Sequence, residues 1–275
     1  MLGALIIVFR EVIEAGLIVG IVLAASRGVA GARAHVAAGV AAGVAGAGVA
    51  AYFADTLSSA LAGRGQELFS ASVLGIAVVM LAWHNIWMAS HGREMARELN
   101  SVGRAVASGD KTLMALAIVV GVAVLREGAE VALFLYGVVV SGESGASVLT
   151  GGLAGLGLGA LASVATFWGL VNIPPRHLFA VTSWLITLLA AGLAAQCAGF
   201  LQKAEVVTVL ADTVWDTSAI LPDNSVPGRV LRTLIGYTDQ PSGLQLLAYF
   251  ATLAIIVVAT RLAAPTPRPQ AAPAA

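Results

Sequence analysis

Two stretches of this sequence carry charge where their surroundings are apolar. Residues 6–20 read IIVFREVIEAGLIVG and residues 122–136 read VAVLREGAEVALFLY. Each contains Arg-Glu-x-x-Glu: Arg10, Glu11 and Glu14 in the first, Arg126, Glu127 and Glu130 in the second. On a helix turning about 100° per residue, the first glutamate falls about 100° from the arginine and the second about 40°. All three side chains share one face, with arginine and second glutamate at i,i+4 and the glutamates at i,i+3. Two carboxylates against one guanidinium leave each motif at −1. A charge at the centre of a membrane-spanning helix costs about 3 kcal/mol on the insertion scale, so charge this dense points to function.

Brought together, the two motifs supply four carboxylates and two guanidinium groups, a net −2. Carboxylate oxygens are hard ligands, and no thiolate accompanies them. Such a set suits Fe³⁺, Fe²⁺, Mn²⁺, Mg²⁺ or Ca²⁺ over Cu(I). The same groups could instead relay protons, or form an ion-pair network that only holds helices together. If the motif helices run in opposite directions, Glu11 pairs in depth with Glu130 and Glu14 with Glu127. Three residues of rise then separate the two tiers by about 4.5 Å. In this scheme the upper tier captures an ion and passes it to the lower, and the arginines occupy the carboxylates between ions.

The elements that must position these groups follow from composition. The chain has 275 residues, 59% hydrophobic and 11% charged. Soluble domains carry roughly 25% charged residues, so this is an integral membrane protein. Net charge is zero, which gives no reason to expect nucleic acid. One cysteine, Cys197, excludes internal disulfides and CxxC metal sites, and His35, His84, His91 and His177 are scattered. The N-terminus lacks the basic start of a cleaved signal, and its apolar run holds three charges.

Apolar segments of spanning length, roughly 20 residues, fall at about 2–24, 34–54, 69–90, 112–140, 148–171, 178–201 and 244–262. The expected fold is an all-α polytopic membrane protein with seven transmembrane helices. The first three and the next three read as copies. Both copies begin with the charged motif. Both second helices carry small residues every fourth position: Gly39, Gly43, Ala47 and Ala51, then Gly151, Gly155, Gly159 and Ser163. Both third helices open with Leu-Phe, at Leu68-Phe69 and Leu178-Phe179. An odd number of helices per copy makes the repeat inverted, which places a substrate site between the copies near mid-membrane. The resulting divisions are 1–111, 112–201, an extracytoplasmic segment 202–243, a last helix 244–262 and a Pro/Ala-rich disordered tail 263–275. Nine loop arginines and lysines fall on one side (Arg27, Arg33, Arg93, Arg97, Arg104, Lys111, Arg176, Arg261, Arg268) and four on the other (Arg64, Lys203, Arg229, Arg232). That bias puts the N-terminus outside and the C-terminus in the cytoplasm.

Paired R-E-x-x-E motifs in the first and fourth helices resemble the oxidase-dependent high-affinity iron permease family, including the EfeU-type bacterial permeases. LADTVWDTSAILPDNS (210–225) and LRTLIGYTDQPSGLQLLAYF (231–250) extend the resemblance toward the last helix. The resemblance implies iron import across the plasma membrane, with iron as transported substrate, no cofactor and no enzymatic activity. It implies iron-handling roles for Glu11, Glu14, Glu127 and Glu130, with Arg10 and Arg126 as charge partners. It also implies an extracytoplasmic redox or delivery partner, cupredoxin-like or a haem peroxidase in bacteria, since nothing in this chain is redox-active. The first motif has Val12 where many relatives have glycine.

Lesser candidates are His84 and Asn85 in WHNIW (83–87), with Gln196 expected roughly opposite in the sixth helix. Trp83 and Trp87 read as packing. Trp215 and Asp216 suggest a short extracytoplasmic helix, and Gly236, Tyr237 and Pro241 a turn before the last span. Two other functions fit the same carboxylates: a proton-coupled or divalent-cation exporter, and a scaffold held by Arg–Glu bridges. An importer fails under chelation and an exporter under metal excess.

Overall fold

A computed structural model describes residues 1–61, 66–169, 175–223 and 225–263. Arg64, Arg268 and residues 264–275 of the tail lie outside them. Among the described residues all regular structure is helical, apart from an isolated bridge between Thr213 and Ser242. The helices are α1 (Leu2–Ala25), α2 (Ala32–Leu61), α3 (Gln66–Ala107), α4 (Leu113–Val140), α5 (Gly145–Phe167), α6 (Pro175–Lys203), α7 (Val226–Ile235) and α8 (Gly243–Ala263).

Five helices contain a stretch long and apolar enough to cross a membrane: Ala32–Phe53 in α2, Glu67–Gly92 in α3, all of α5, Ala180–Lys203 in α6, and all of α8. Helices α1 and α4 have crossing length, at 24 and 28 residues. They differ from the five in carrying the charged motifs.

The small-residue stripes decide which helices lie closest. A Cβ on Gly39 would stand 2.5 Å from the Ala117 carbonyl oxygen, and one on Gly43 2.7 Å from the Gly121 carbonyl oxygen, so α2 runs directly against α4. A Cβ on Gly155 would stand 2.5 Å from the Leu5 carbonyl oxygen and one on Gly159 2.9 Å from Val12 Cβ, so α5 runs against α1. Helices this close gain dispersion contacts along their whole length, the main packing force where lipid removes the hydrophobic drive. The small-residue helices thus each pack on a charged helix, α2 on α4 and α5 on α1. Helix α3 packs against α6, and also touches both α1 and α4.

Two apolar clusters flank the charged motifs. At the end that holds Gly3, Ser141 and Arg232 lie Ile7, Leu74, Leu81, Phe134 and Ile186, all fully buried. Toward the opposite end lie Val22, Val36, Leu99, Leu116 and Val120.

The segment between α6 and α8 departs from the expectation of a helix at Trp215 and Asp216. Those residues are non-helical because Asp216 Oδ1 accepts from the Ser218 amide (2.9 Å) and hydroxyl (2.6 Å), a side-chain turn that competes with helix. These bonds and one from Gln240 hold the exposed Asp216 carboxyl below its ordinary value. Asp223 and Asp239 exchange backbone-to-carboxylate hydrogen bonds at 3.1 and 3.0 Å. Partial burial there pushes the Asp223 carboxyl upward. The helix of this segment is α7. Ser225 caps it by accepting from the Gly228 amide at 3.0 Å, Pro227 sits in its first turn, and Gly236 ends it at φ 70°. Gly236 lies against Gly192 of α6, where a Cβ on either would stand under 3 Å from the other's Cα.

Candidate metal site

Both motif faces turn inward and meet α3. Arg10 Nε lies 2.9 Å from Glu14 Oε1, and Arg10 Nη1 3.3 Å from Glu11 Oε1. Arg126 Nε lies 3.0 Å from Glu130 Oε1. The i,i+4 pairs expected from the spacing form in both helices.

Between the motifs stands His84. Its Nε2 lies 3.4 Å from Glu14 Oε2, and its Nδ1 contacts Glu130 Oε2. One imidazole therefore joins the second glutamates of the two motifs. The first glutamates also approach each other, with a carboxylate oxygen of Glu127 within 4.8 Å of one of Glu11. The tiers expected from sequence paired Glu11 with Glu130 and Glu14 with Glu127 in depth; the contacts bring Glu11 and Glu130 within 4.8 Å and also join like positions of the two motifs.

One donor atom each from Glu11, His84, Glu127 and Glu130 lies within 4.8 Å of the others, a spread one cation can bridge. Glu14 is not in that set and stays with Arg10. Glu11, Glu14, His84 and Glu127 are buried. Glu11 Oε2 and Glu127 Oε2 have no hydrogen-bond donor. Buried polar atoms in native proteins are nearly all satisfied, so orphaned ones call for a missing ligand. Three carboxylates and one imidazole fit a borderline divalent ion better than Mg²⁺ or Ca²⁺, which take oxygen alone.

Of the lesser candidates, His84 lies inside the cluster. Asn85 turns the other way and ties α3 to α6. It donates to Thr187 Oγ1 at 2.8 Å and accepts from the Ser183 hydroxyl. Gln196 is not opposite either of them. It lines a separate cavity of about 200 Å³ with Gly3, Ser141, Glu143 and Arg232. Nine residues separate it from Thr187, about 13 Å along a helix. Sequence reading passed over Ser183 and Thr187, although their i,i+4 spacing on an apolar helix was a signal. It also read Trp87 as packing, whereas the Arg126 guanidinium lies 4.5 Å from the centre of its ring.

A cleft of about 550 Å³ runs from the end of the bundle opposite Gly3 as far as Glu14, beside the cluster. Arg10, Glu14 and Asn85 form its deep end, and Ile21, Met95 and Leu99 lie further out. Ile7, Leu81, Phe134 and Ile186 pack between the helices toward Gly3, while another cavity of about 470 Å³ touches Glu11 and Glu127 along α2 and α5.

A profile of the iron permease FTR1 family matches residues 1–265. The ferrous iron permease EfeU of Shigella flexneri is 31% identical over 198 residues, 72% of this chain and 84% of that protein. Its namesake in Escherichia coli O157:H7 is 31% identical over 198 residues, 71% of that protein. No solved structure matches the chain. The family and these relatives are named as permeases, which are transporters and not enzymes. The match spans both charged motifs and the segment before α8, and the chain belongs to the iron permease FTR1 family.

Proposed function

We propose that this protein imports ferrous iron across the plasma membrane through the site formed by Glu11, Glu127, Glu130 and His84, with Glu14 beside it. The observation that carries this reading is the meeting of two distant motifs around one histidine, with carboxylate oxygens left without donors. The ferrous ion is favoured by the imidazole donor and by the name of the similar EfeU permeases. Glu14 faces the cleft, so it is the carboxylate an ion meets on leaving.

The inverted seven-span arrangement is part of the proposal. It is supported by the packing of α2 on α4 and of α1 on α5, which exchange under a two-fold relation between the halves. With the N-terminus outside, the cleft opens to the cytoplasm, and Ile7, Leu81, Phe134 and Ile186 lie toward the outer side. Reporter fusions at the two ends test that orientation. An outer redox or delivery partner completes the scheme, and uptake with and without such a partner co-expressed tests it.

The deciding experiment is radio-iron uptake in transport-deficient cells expressing wild type, Glu14→Gln or Glu130→Gln, with membrane levels matched. We expect wild-type uptake from Fe²⁺ and at least a tenfold loss in both variants. Normal uptake by the variants would make the charges structural and remove the physical basis for an iron site.

A further inference from the structure

The two arginines are held differently. Arg10 is 3% exposed and reaches both carboxylates of its motif. Arg126 is 38% exposed and is paired with Glu130, while its guanidinium lies over the Trp87 indole at 4.5 Å. Trp87 stands one turn along α3 from His84, at i+3, so one face of α3 presents an imidazole to Glu130 and an aromatic face to that glutamate's arginine. The His91 ring stacks on Trp87 at 5.2 Å and 9°, and Ser90 Oγ contacts His91 Nδ1 at 2.7 Å. The indole plane is thus braced.

An ion entering the cluster takes a share of Glu130, and a guanidinium beside it opposes the ion's charge. Arg10, at the inner end of the cleft, is buried and paired with both carboxylates of its own motif. Arg126 has an aromatic face already beneath it, and an aromatic ring attracts a cation without competing for carboxylate. We propose that Arg126 is the displaceable counter-charge of the site and that Trp87 is the berth that keeps its guanidinium when iron takes Glu130. Trp87 is a positioning residue in this scheme. Its loss costs the iron-bound form more, because the apo form keeps Arg126 on Glu130 while the bound form leaves it unpaired. The inference rests on the iron-site reading above.

The test is Fe²⁺ titration calorimetry under anaerobic conditions on the full-length protein in nanodiscs. Wild type, Trp87→Leu, Trp87→Phe, Arg126→Gln, the Trp87→Leu/Arg126→Gln double variant and Glu130→Gln are compared. We expect Trp87→Leu to weaken Fe²⁺ binding about tenfold, Trp87→Phe to recover most of that loss, and Trp87→Leu to have no effect in the Arg126→Gln background. An equal loss in that background means that Trp87 acts through packing and overturns the berth. Unchanged affinity in Trp87→Leu overturns it as well. If Glu130→Gln abolishes binding in either case, the berth falls and the iron site stands. If wild type binds no Fe²⁺, or Glu130→Gln binds like wild type, the site reading falls and takes the berth with it.

Discussion

Arg10 and Arg126 occupy the same place in identical five-residue patterns, yet one is buried between two carboxylates and the other lies partly exposed on a tryptophan. Spacing along a helix fixes which side chains share a face. It leaves open what the face meets, and that is where the two copies part. Helix α1 meets α3 and α6, whereas α4 has α3 but no comparable contact with α6. The first motif keeps its arginine between two buried carboxylates, and the second leaves its arginine partly exposed over an indole.

The largest expected effect tests that difference. Arg10→Gln leaves Glu11 and Glu14 buried without their cation, and breaking such a pair costs about 3–5 kcal/mol. Arg126→Gln leaves Glu130 its contact with His84 and should cost less. Thermal unfolding in detergent and membrane levels in cells read both, and equal losses would break the comparison. Next comes His84→Ala, which removes the one residue shared by both motifs. We expect Fe²⁺ affinity to fall at least tenfold, with Glu14 and Glu130 losing the ring between them. A variant with unchanged affinity would return the site to carboxylates alone.

Asn85→Ala should cost about 1–3 kcal/mol by unfolding, because Thr187 and Ser183 lose a buried partner. It sharpens the comparison by loosening α3 from α6, the helix that favours α1 over α4. An effect of similar size concerns the two close helix pairs, α2 on α4 and α5 on α1. Gly39→Ala and Gly155→Ala each drive a Cβ to 2.5 Å from a facing carbonyl oxygen. Each should destabilise by about 1–3 kcal/mol. Matched melting shifts would support the exchange of helices between halves, and a large mismatch would count against it.

Much of the site was legible because charge in an apolar helix has few explanations. The two motifs, their shared faces and their i,i+4 ion pairs were read from spacing, and they form. The small-residue stripes were read as a mark of the repeat; which helix each packs on, α4 for α2 and α1 for α5, was not legible, since a stripe does not name its partner. His84 was visible only as a polar residue in an apolar helix. Its place between Glu14 and Glu130 depends on where α3 crosses the motif helices, which no local pattern records. Gln196 failed as its companion because a rough match of helix positions ignores depth along α6. The helix expected at Trp215 lies instead at α7, where a serine cap and a proline start it. Asp216 spends its carboxylate on a turn.

Helix α3 runs 42 residues without a proline. At 1.5 Å per residue it is about 63 Å long, roughly twice the thickness of a bilayer's hydrocarbon. It is tied to α6 by hydrogen bonds between Asn85 and both Thr187 and Ser183, next to the histidine. The part of α3 that carries His84 is therefore held from both sides, by α6 through Asn85 and by the motif helices through Glu14 and Glu130.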